Sequence, residues 1–484
     1  MHIAALTFSF FMLSFLIIGL SAARVREPSV SDYLLGGRTI KPWLNALSAA
    51  STNCSGFMFI GLIGLSYKLG FYAFWFVIGI ILGSLLVWYL CVPSLRQIAG
   101  ELNALTYLDV ILPKRALVHD GLGKGDKQTS PQQSGKVQLD RWFAGIITLI
   151  FLSVYAAAQL KAGTKAMHSM FDWPPEVGIW MSALLILIYC LSGGYRATVW
   201  SDAAQSLVMF VAMSLLAFTS VYELGGFSQL LDTLNQQSPL LTQLFRDQQS
   251  IWISLGSGLA WALVGIGSLG QPHIMIRPIA LPSVDDVPAT RRVFFSYYIA
   301  FVTLSVFVGI CARALMPLTE VGFDPELALP TLASAQLPSA LLGLVLAGVF
   351  ASAVSTADSQ VLSCSAVIAG DLRSSPHRSY RAQKIATIAV LIVVALIATW
   401  APADVFTLVI LAWSALAAPF VPLAVAACYQ VPLQVRTRCG ILVVGLGAFA
   451  LCRLLGTPWG LHELFICWSL SIPLILVDRL KPKV

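Results

Sequence analysis

The sequence predicts an all-α membrane protein that crosses the bilayer many times, and three observations support this fold class. Apolar residues make up 57% of the 484 residues and charged residues only 11%, whereas soluble domains carry roughly 25% charged residues. The mean hydropathy is +0.81. The apolar residues also gather into segments of membrane-spanning length, separated by basic loops. So few charges cannot cover a water-exposed surface, and a soluble fold is therefore excluded.

Thirteen apolar segments reach the length of about 17 residues that a membrane-spanning helix needs. They lie at residues 4–22, 43–66, 71–94, 141–162, 175–194, 199–222, 251–275, 294–315, 337–369, 383–401, 404–428, 440–456 and 460–477. We therefore expect about thirteen transmembrane helices. The Gly-, Ser- and Gln-rich segment 116–139 is expected to form a long inner loop.

The first apolar segment resembles a secretory signal, because Ala22 and Ala23 could form a cleavage site. No Lys or Arg precedes it, however, and Arg24 and Arg26 follow it. This order of charges favours a retained helix whose N-terminus lies outside.

The basic residues are distributed unevenly between the two sides. If the segments alternate from an outer N-terminus, 24 of the 30 Lys and Arg residues fall in inner loops and six outside. Cytoplasmic loops carry such an excess. The net charge of +7 is therefore a sign of topology, not of nucleic-acid binding. We expect a multi-pass protein of the plasma membrane, specifically of a bacterial inner membrane, with its C-terminus in the cytoplasm.

The cysteines and histidines do not indicate an enzyme. The nine cysteines include no C-x-x-C pair and lie mostly in apolar segments, where thiols act as small apolar groups. The six histidines are scattered, without metal-ligand spacing or a Ser/His/Asp arrangement. We expect neither catalysis nor a bound cofactor.

Two of the apolar segments are interrupted. The second contains the small, polar run from Ser48 to Gly56, and the seventh contains three glycines between Gly265 and Pro272. A pair of interrupted spans, one in each half of a chain, is the best sequence indication of a transporter binding site. Close helix packing through small residues is the alternative. Asn53 and Gln271 favour the interruption, because their side chains need buried partners.

The ninth segment carries an unusual number of hydroxyl groups. Ser352, Ser355, Ser359 and Ser363 fall near one helical face, with Thr356 beside them and Asp358 in the same run. A single hydroxyl commonly bonds to its own helix, but five are hard oxygen ligands that suit a small alkali cation. An ionisable residue inside a span is by default a functional candidate.

Several motifs in order along the chain resemble the solute:sodium symporter family. They are Ser31–Arg38 (SDYLLGGR), Ser55-Gly56, Gly193-Gly194 followed by Trp200, Asp202 and Gln205, Gly270–Arg277 (GQPHIMIR) and Ser355–Gln360 (STADSQ). The GQPHI piece is most similar to the sodium/proline symporter branch. The resemblance implies a five-plus-five inverted-repeat fold of the leucine-transporter type that works by alternating access.

The resemblance also implies one transporter domain over residues 1–484. Residues 1–42 would form the first helix and an inner loop, and residues 43–428 the inverted-repeat core. Residues 429–484 would add two C-terminal helices and a short tail.

Carried over by position, the resemblance implies a sodium site and an ion path. The sodium ligands would be the backbone carbonyls of Ser51, Cys54 and Ser352 and the hydroxyls of Ser355 and Thr356. Gating or ion-path roles would fall on Arg38, Asn53, Asp202 and Asp358. Arg38 either pairs with a carboxylate to gate the second span or simply anchors it on the inner side. Asp358 either faces the cation or caps a neighbouring helix.

The implied substrate cavity comprises Ser55, Gly56, Tyr155, Ser268 and Pro272. Three features depart from the proline branch, and one of them is a longer inner loop at residues 116–139. Asn53 replaces an acid just before the sodium ligands, and Val264 and Ser268 replace a Trp and a Tyr. We therefore expect neutral cation ligands and a pocket whose shape differs from that of a proline pocket.

The working hypothesis is sodium-driven uptake of a small organic solute of the amino acid or carboxylate type. The expected partners are sodium, that solute and the lipid bilayer, with a monomer sufficient and no nucleic acid. Two alternatives stay open. One is a proton-coupled transporter with Asp358 or Asp202 as the proton carrier, and the other is a solute sensor that keeps the fold without transport.

Overall fold

The structure is a computed structural model that describes residues 2–113, 138–245, 251–317, 323–372, 379–400, 404–457 and 462–480. Within these ranges every regular element is helical. The predicted inner loop 116–139 lies almost entirely outside the described residues.

The first half of the described chain forms ten α-helices. Their bounds are α1 His2–Ser21, α2 Val30–Leu35, α3 Pro42–Asn53, α4 Gly56–Phe59, α5 Gly61–Leu69, α6 Phe74–Leu90, α7 Val92–Glu101, α8 Tyr107–Ile111, α9 Leu139–Phe171 and α10 Pro175–Glu223.

The second half forms ten more. Their bounds are α11 Phe227–Gln237, α12 Ile251–Ile266, α13 Pro272–Ile279, α14 Val287–Leu315, α15 Ala328–Gln336, α16 Ser339–Ala366, α17 Tyr380–Trp400, α18 Val405–Cys428, α19 Val435–Leu455 and α20 Glu463–Leu480.

The multi-pass helical fold class is confirmed. Ten helical stretches of the described chain are long and apolar enough to cross a membrane. Two of them, Gly56–Leu90 and Pro175–Glu223, each extend over parts of two predicted spans, and α20 overlaps the last predicted span. The count of thirteen and the outer N-terminus stay predictions.

The long helix α10 is bent at Gly194. The backbone of Gly194 has φ +53° and ψ −137°, a conformation that residues with a Cβ rarely adopt. A Cβ there would also lie 2.5 Å from the Tyr33 carbonyl oxygen. The bend separates the two spans that the sequence predicts at 175–194 and 199–222.

Both predicted interruptions are present. The helix α3 ends at Asn53 and α4 begins at Gly56. In the second half, α12 ends at Ile266 and a 3-10 turn over Gly267–Gly270 leads into α13. These interrupted helices are the first members of the first and the second group of five predicted spans. Broken helices at equivalent places in two halves are typical of inverted-repeat transporters.

The helix α16 lies at the centre of the molecule. It packs against α1, α9, α10 and α3, and residues 345–362 are buried on every face. At the periphery, α6 packs closely on α12, because Gly83 has no side chain. A Cβ at Gly83 would lie 2.1 Å from the carbonyl oxygen of Ala262.

Ion pairs near the helix ends connect segments that the predicted topology places on the same side. Those assigned to the inner side are Arg141–Asp109, Arg141–Asp371, Arg196–Asp32 and Arg438–Asp140, and those assigned to the outer side are Lys165–Asp324, Lys165–Glu326 and Arg453–Glu463. This pairing supports the predicted alternation of the loops.

Candidate cation and solute site

The hydroxyl groups of α16 face the unwound end of α3. The Thr356 hydroxyl donates to the Thr52 carbonyl over 3.0 Å, and the Ser355 Oγ lies 3.5 Å from the Ser51 carbonyl oxygen. The Ser51 hydroxyl in turn donates to Ser355 Oγ over 3.0 Å. These side chains are all fully buried. The structure therefore brings the predicted cation ligands of two distant segments together.

The carbonyl of Ser352 belongs to the same group of oxygens. It accepts hydrogen bonds from the hydroxyls of Ser355 over 3.2 Å and Thr356 over 3.1 Å, so these hydroxyls bond within α16 as well as to α3. Cys54, the fifth predicted ligand, is the buried residue after the end of α3, with φ −85° and ψ 59°. Carbonyls at a helix end lack partners within the helix and can bind an ion instead. Oxygen-only ligands of this kind suit an alkali cation.

A glutamine holds the interruption between α3 and α4 in place. The Gly56 N–H donates to Oε1 of Gln159, on α9, over 2.8 Å. A Cβ on Gly56 would lie 2.9 Å from the Cβ of Ala162. Gly56 therefore packs on α9, and only a glycine allows this approach. Gln159 was not among the residues that the sequence singled out.

A cavity adjoins this interruption, and we call it the central cavity. The empty space between the atoms that line it is about 350 Å³, which includes the part open to the surroundings. Its lining residues are Asn53, Ser55, Phe57, Met58, Phe76, Ile80, Tyr155, Val264, Tyr298, Val409, Ile410 and Trp413. None of these described residues carries a formal charge.

The five predicted substrate residues occupy different places. Ser55 and Tyr155 line the central cavity, whereas Gly56 packs on α9. Ser268 lies buried in the 3-10 turn before α13. Pro272 lines a second cavity, described below. Their role in solute binding stays a prediction.

The second interruption is bonded to α18. Gln271 donates from Nε2 to the carbonyl of Trp413 over 3.0 Å, and the Trp413 indole N–H donates to the Val264 carbonyl over 3.0 Å. These bonds give the buried Gln271 the partner that its position required. They also fix the Trp413 ring in the wall of the central cavity.

Arg277 is one of the 24 basic residues that the predicted topology assigns to inner loops, but it is buried, with 1% of its surface exposed. Its Nη2 donates to Asp202 Oδ2 and Thr52 Oγ1, each over 3.0 Å, and to the Ser359 hydroxyl. Its guanidinium carbon lies 4.9 Å from the centre of the Tyr195 ring. Arg277 thus links α13 to α3, α10 and α16. Sequence reasoning missed it because it stands at the end of an apolar segment.

The two predicted ion-path carboxylates lie in the same region and are fully buried. Asp202 accepts from the Ser48 hydroxyl over 2.6 Å in addition to its ion pair with Arg277. Asp358 accepts from the Tyr189 hydroxyl over 2.6 Å and from the Ser359 hydroxyl over 2.8 Å.

Arg38 has no carboxylate partner among the described residues. Its Nη2 donates to the carbonyls of Ala99 and Ala104, each over 2.8 Å. Burial lowers the pKa of the Arg38 guanidinium below its ordinary value, and the positive charge of Arg96 lowers it further. In the part of the chain that the structure describes, Arg38 therefore does not form the carboxylate pair, which was one of the two alternatives, and instead joins the start of α3 to the end of α7.

The second cavity, which we call the inner-side cavity, has about 440 Å³ of empty space, which includes the part open to the surroundings. Its lining includes Arg277 and Ser359, which are bonded to each other in the centre of the molecule. The same lining includes Thr106 and Asp371, near the predicted inner surface. Asp371 forms an ion pair with Arg141, which is also paired with Asp109 over 2.8 Å. This cavity connects the region of the cation ligands with the predicted inner side.

On the predicted outer side, Lys165 forms ion pairs of 2.6 Å with both Asp324 and Glu326. Glu326 also accepts from the N–H of Phe406 over 2.8 Å. The Phe406 ring lies 5.2 Å from that of Phe57, which lines the central cavity. These contacts connect the outer wall of the central cavity to the outer loop.

Comparison with known proteins agrees with this geometry. The model of the sodium:solute symporter family matches residues 33–116 and 131–434. The chain is 28% identical over 415 residues to the high-affinity proline transporter PutP of Bacillus subtilis, which covers 84% of this chain and 83% of that protein. It is also 28% identical over 464 residues to a sodium/proline symporter of Staphylococcus aureus, which covers 93% of this chain and 85% of that protein.

Solved structures show the same fold. A Na⁺-coupled sialic acid symporter superposes with a TM-score of 0.76 at 19% identity, covering 99% of this chain and 97% of the other. MhsT, solved in complex with L-phenylalanine, gives a TM-score of 0.51 at 13% identity, covering 90% of this chain and 98% of the other.

Proposed function

The chain belongs to the sodium:solute symporter family, and on that premise we propose that it imports a small, net neutral organic solute together with sodium. Sodium would bind to the carbonyls of Ser51, Cys54 and Ser352 and the hydroxyls of Ser355 and Thr356. The observation that carries this proposal is the contact of the α16 hydroxyls with the unwound end of α3, 3.0 Å for Thr356. Because the ligands come from two separate segments, the affinity for sodium would depend on the relative position of α3 and α16.

Coupling follows from this division of the ligands. A ligand shifts a conformational equilibrium only by its differential affinity for the two states. Sodium that bridges α3 and α16 would favour the state in which both segments meet. The same state holds Asn53 and Ser55 in the wall of the central cavity, so the solute pocket would form best with sodium bound.

The available driving force is sufficient for concentrative uptake. One charge that moves through about 100 mV yields about 2.3 kcal/mol, and a tenfold sodium gradient adds about 1.4 kcal/mol. The sum of about 3.7 kcal/mol supports roughly 500-fold accumulation of a neutral solute with one sodium ion.

The lining of the central cavity supports a net neutral solute with an apolar body. The described lining contains no charged residue that could pair with a strongly charged solute. Asn53, Ser55, Tyr155 and Tyr298 of the same lining can form hydrogen bonds with a neutral one. The names of the curated relatives put proline first among the solutes to test, followed by other neutral amino acids. Val264 lies in the cavity wall, and a Val there leaves more room than an aromatic ring.

The test is uptake into proteoliposomes under an inward sodium gradient. Wild-type protein should accumulate the solute with sodium and not with potassium. The double variant Ser355→Ala and Thr356→Ala should raise the sodium concentration for half-maximal uptake at least about tenfold. The solute concentration for half-maximal uptake, measured at saturating sodium, should change much less.

Ser365→Ala is the matched control, because Ser365 is equally buried on α16 and donates to the Leu362 carbonyl of its own helix. It should leave both half-maximal concentrations unchanged. Equal shifts for sodium and solute in the double variant would contradict the ligand assignment. Uptake that follows a proton gradient and ignores sodium would overturn the proposal.

A further inference from the structure

Asp358 is a carboxylate in the centre of the molecule that forms no ion pair with any described residue. Its side chain is fully buried, and both of its hydrogen-bond donors, the hydroxyls of Tyr189 and Ser359, are neutral. A charge without a counter-charge at the depth of the membrane is costly and is retained where it has a function. When Asp358 is ionised, it therefore needs a cation nearby.

The groups around Asp358 do not supply that cation. The titratable and charged groups that interact with it from the neighbouring helices are Tyr189, Cys190 and Asp202 of α10 and Arg277 of α13. Arg277 is ion-paired with Asp202 over 3.0 Å. With both carboxylates ionised, this group of two carboxylates and one guanidinium carries one uncompensated negative charge. In addition, Asp202 Oδ1 accepts no hydrogen bond in the described part of the chain.

Asp358 adjoins the cation ligands. It stands two residues after Thr356 on α16, and Ser359, which donates to Asp358, lies 3.4 Å from Thr52 Oγ1. The five ligands themselves are neutral, because they are three carbonyls and two hydroxyls, and the adjacent residue 53 is Asn. A sodium ion among them would therefore bind to the helix that carries Asp358, a carboxylate without an ion-pair partner in the described residues.

We propose that Asp358 is the counter-charge of the coupling sodium ion, while Arg277 neutralises Asp202. Asp358 acts through its charge as a positioning residue and does not contact the ion. The centre of the molecule is then electrically neutral only when sodium is bound. This inference rests on the proposed function, since it presupposes sodium at the Ser355 and Thr356 hydroxyls.

The test is a series of variants that changes the net charge of Asp202, Asp358 and Arg277. The charge is −1 in the wild type, 0 in Asp358→Asn, −2 in Arg277→Gln and −1 again in the double variant. The readout is the sodium concentration that gives half of the maximal rise in melting temperature of the purified protein, without solute and at constant ionic strength with potassium. It requires no turnover.

Asp358→Asn should raise that sodium concentration roughly tenfold, and Arg277→Gln should lower it. The double variant should return to within about threefold of the wild type. Asp140→Asn is the matched control, because it also removes a buried carboxylate, one that lies on α9 and is bonded to Arg438 over 3.3 Å and to the Arg141 N–H. It should leave the sodium concentration unchanged.

The outcomes separate this inference from the proposed function. If sodium does not stabilise the wild type more than potassium does, the proposed function falls and the inference with it. If sodium stabilises the wild type and Ser355→Ala weakens the effect, but Asp358→Asn shifts no more than Asp140→Asn, only this inference is overturned. A shift in Asp358→Asn that the double variant does not reverse also overturns it. If Asp358→Asn does not fold, Arg277→Gln decides alone, and an unchanged or weaker response to sodium refutes the charge account.

Discussion

At the residue scale, the break between α3 and α4 depends on side chains that supply the hydrogen bonds which the interrupted helix no longer makes. Gln159 accepts a hydrogen bond from the Gly56 N–H over 2.8 Å. A buried backbone N–H without a partner costs about 1–3 kcal/mol. The unwound segment is therefore stabilised by a neighbouring helix, which frees its carbonyls for a ligand.

Gln159→Leu should destabilise the protein, because it leaves the Gly56 N–H buried without an acceptor. We expect a loss of about 1–3 kcal/mol, measured as a lower melting temperature, together with weaker stabilisation by sodium. Gln383→Leu is the control, since Gln383 is equally buried while its side chain bonds to no described group. Equal effects of the two substitutions would show that the Gln159 bond does not support the interruption.

Arg277 illustrates where residue-by-residue reading of the sequence failed. Its place at the end of an apolar segment is typical of a basic residue in an inner loop. A hydropathy window cannot distinguish such a residue from one that is buried inside the protein. Only the fold shows that Asp202, Thr52 and Ser359 converge on its guanidinium. Those partners come from three helices that are far apart in sequence.

At the scale of the elements, Arg141 joins three segments near the predicted inner surface. It is paired with Asp109 of α8 and with Asp371 after α16, and donates to the Leu112 carbonyl over 2.8 Å. Asp371 also lines the inner-side cavity. The end of the helix that carries the cation ligands is thereby held to α8 and α9.

Arg141→Met should open the predicted inner side, because it leaves the carboxylates of Asp109 and Asp371 facing each other without this guanidinium. In inside-out vesicles, a cysteine in place of Ser363, which lines the inner-side cavity, should react several-fold faster with a membrane-impermeant maleimide in this variant. Arg438→Met removes another inner-side ion pair, 3.3 Å to Asp140, and should not change the rate. Unchanged labelling in Arg141→Met would exclude a closing role.

At the scale of the whole molecule, the ion pairs divide the helix ends into two groups that coincide with the predicted inner and outer loops. None of the ion pairs in the described ranges crosses from one group to the other. The deeper pair between Arg277 and Asp202 belongs to the centre. Alternating access requires that the two sides open separately, and this distribution of contacts is suited to it.

The predicted orientation can be tested with two exposed residues, Asp232 on α11 and Arg292 on α14. A cysteine replacing Asp232 should react with an impermeant thiol reagent in intact cells. One replacing Arg292 should react only after permeabilisation. The reverse pattern would overturn the outer N-terminus, and equal reactivity would overturn the number of spans between them.

The sequence by itself determined the helical membrane fold, the two interruptions and the hydroxyl-rich face of α16. Each of these follows from local composition and period, because an apolar run, a Gly/Pro cluster or a row of hydroxyls acts on the backbone where it stands. Tertiary structure decided which residues line the central cavity and which group pairs with Arg277. It also decided that Asp358 has no ion-pair partner among the described residues. These depend on the rotation and distance of helices hundreds of residues apart, and such packing is not a local property of the chain.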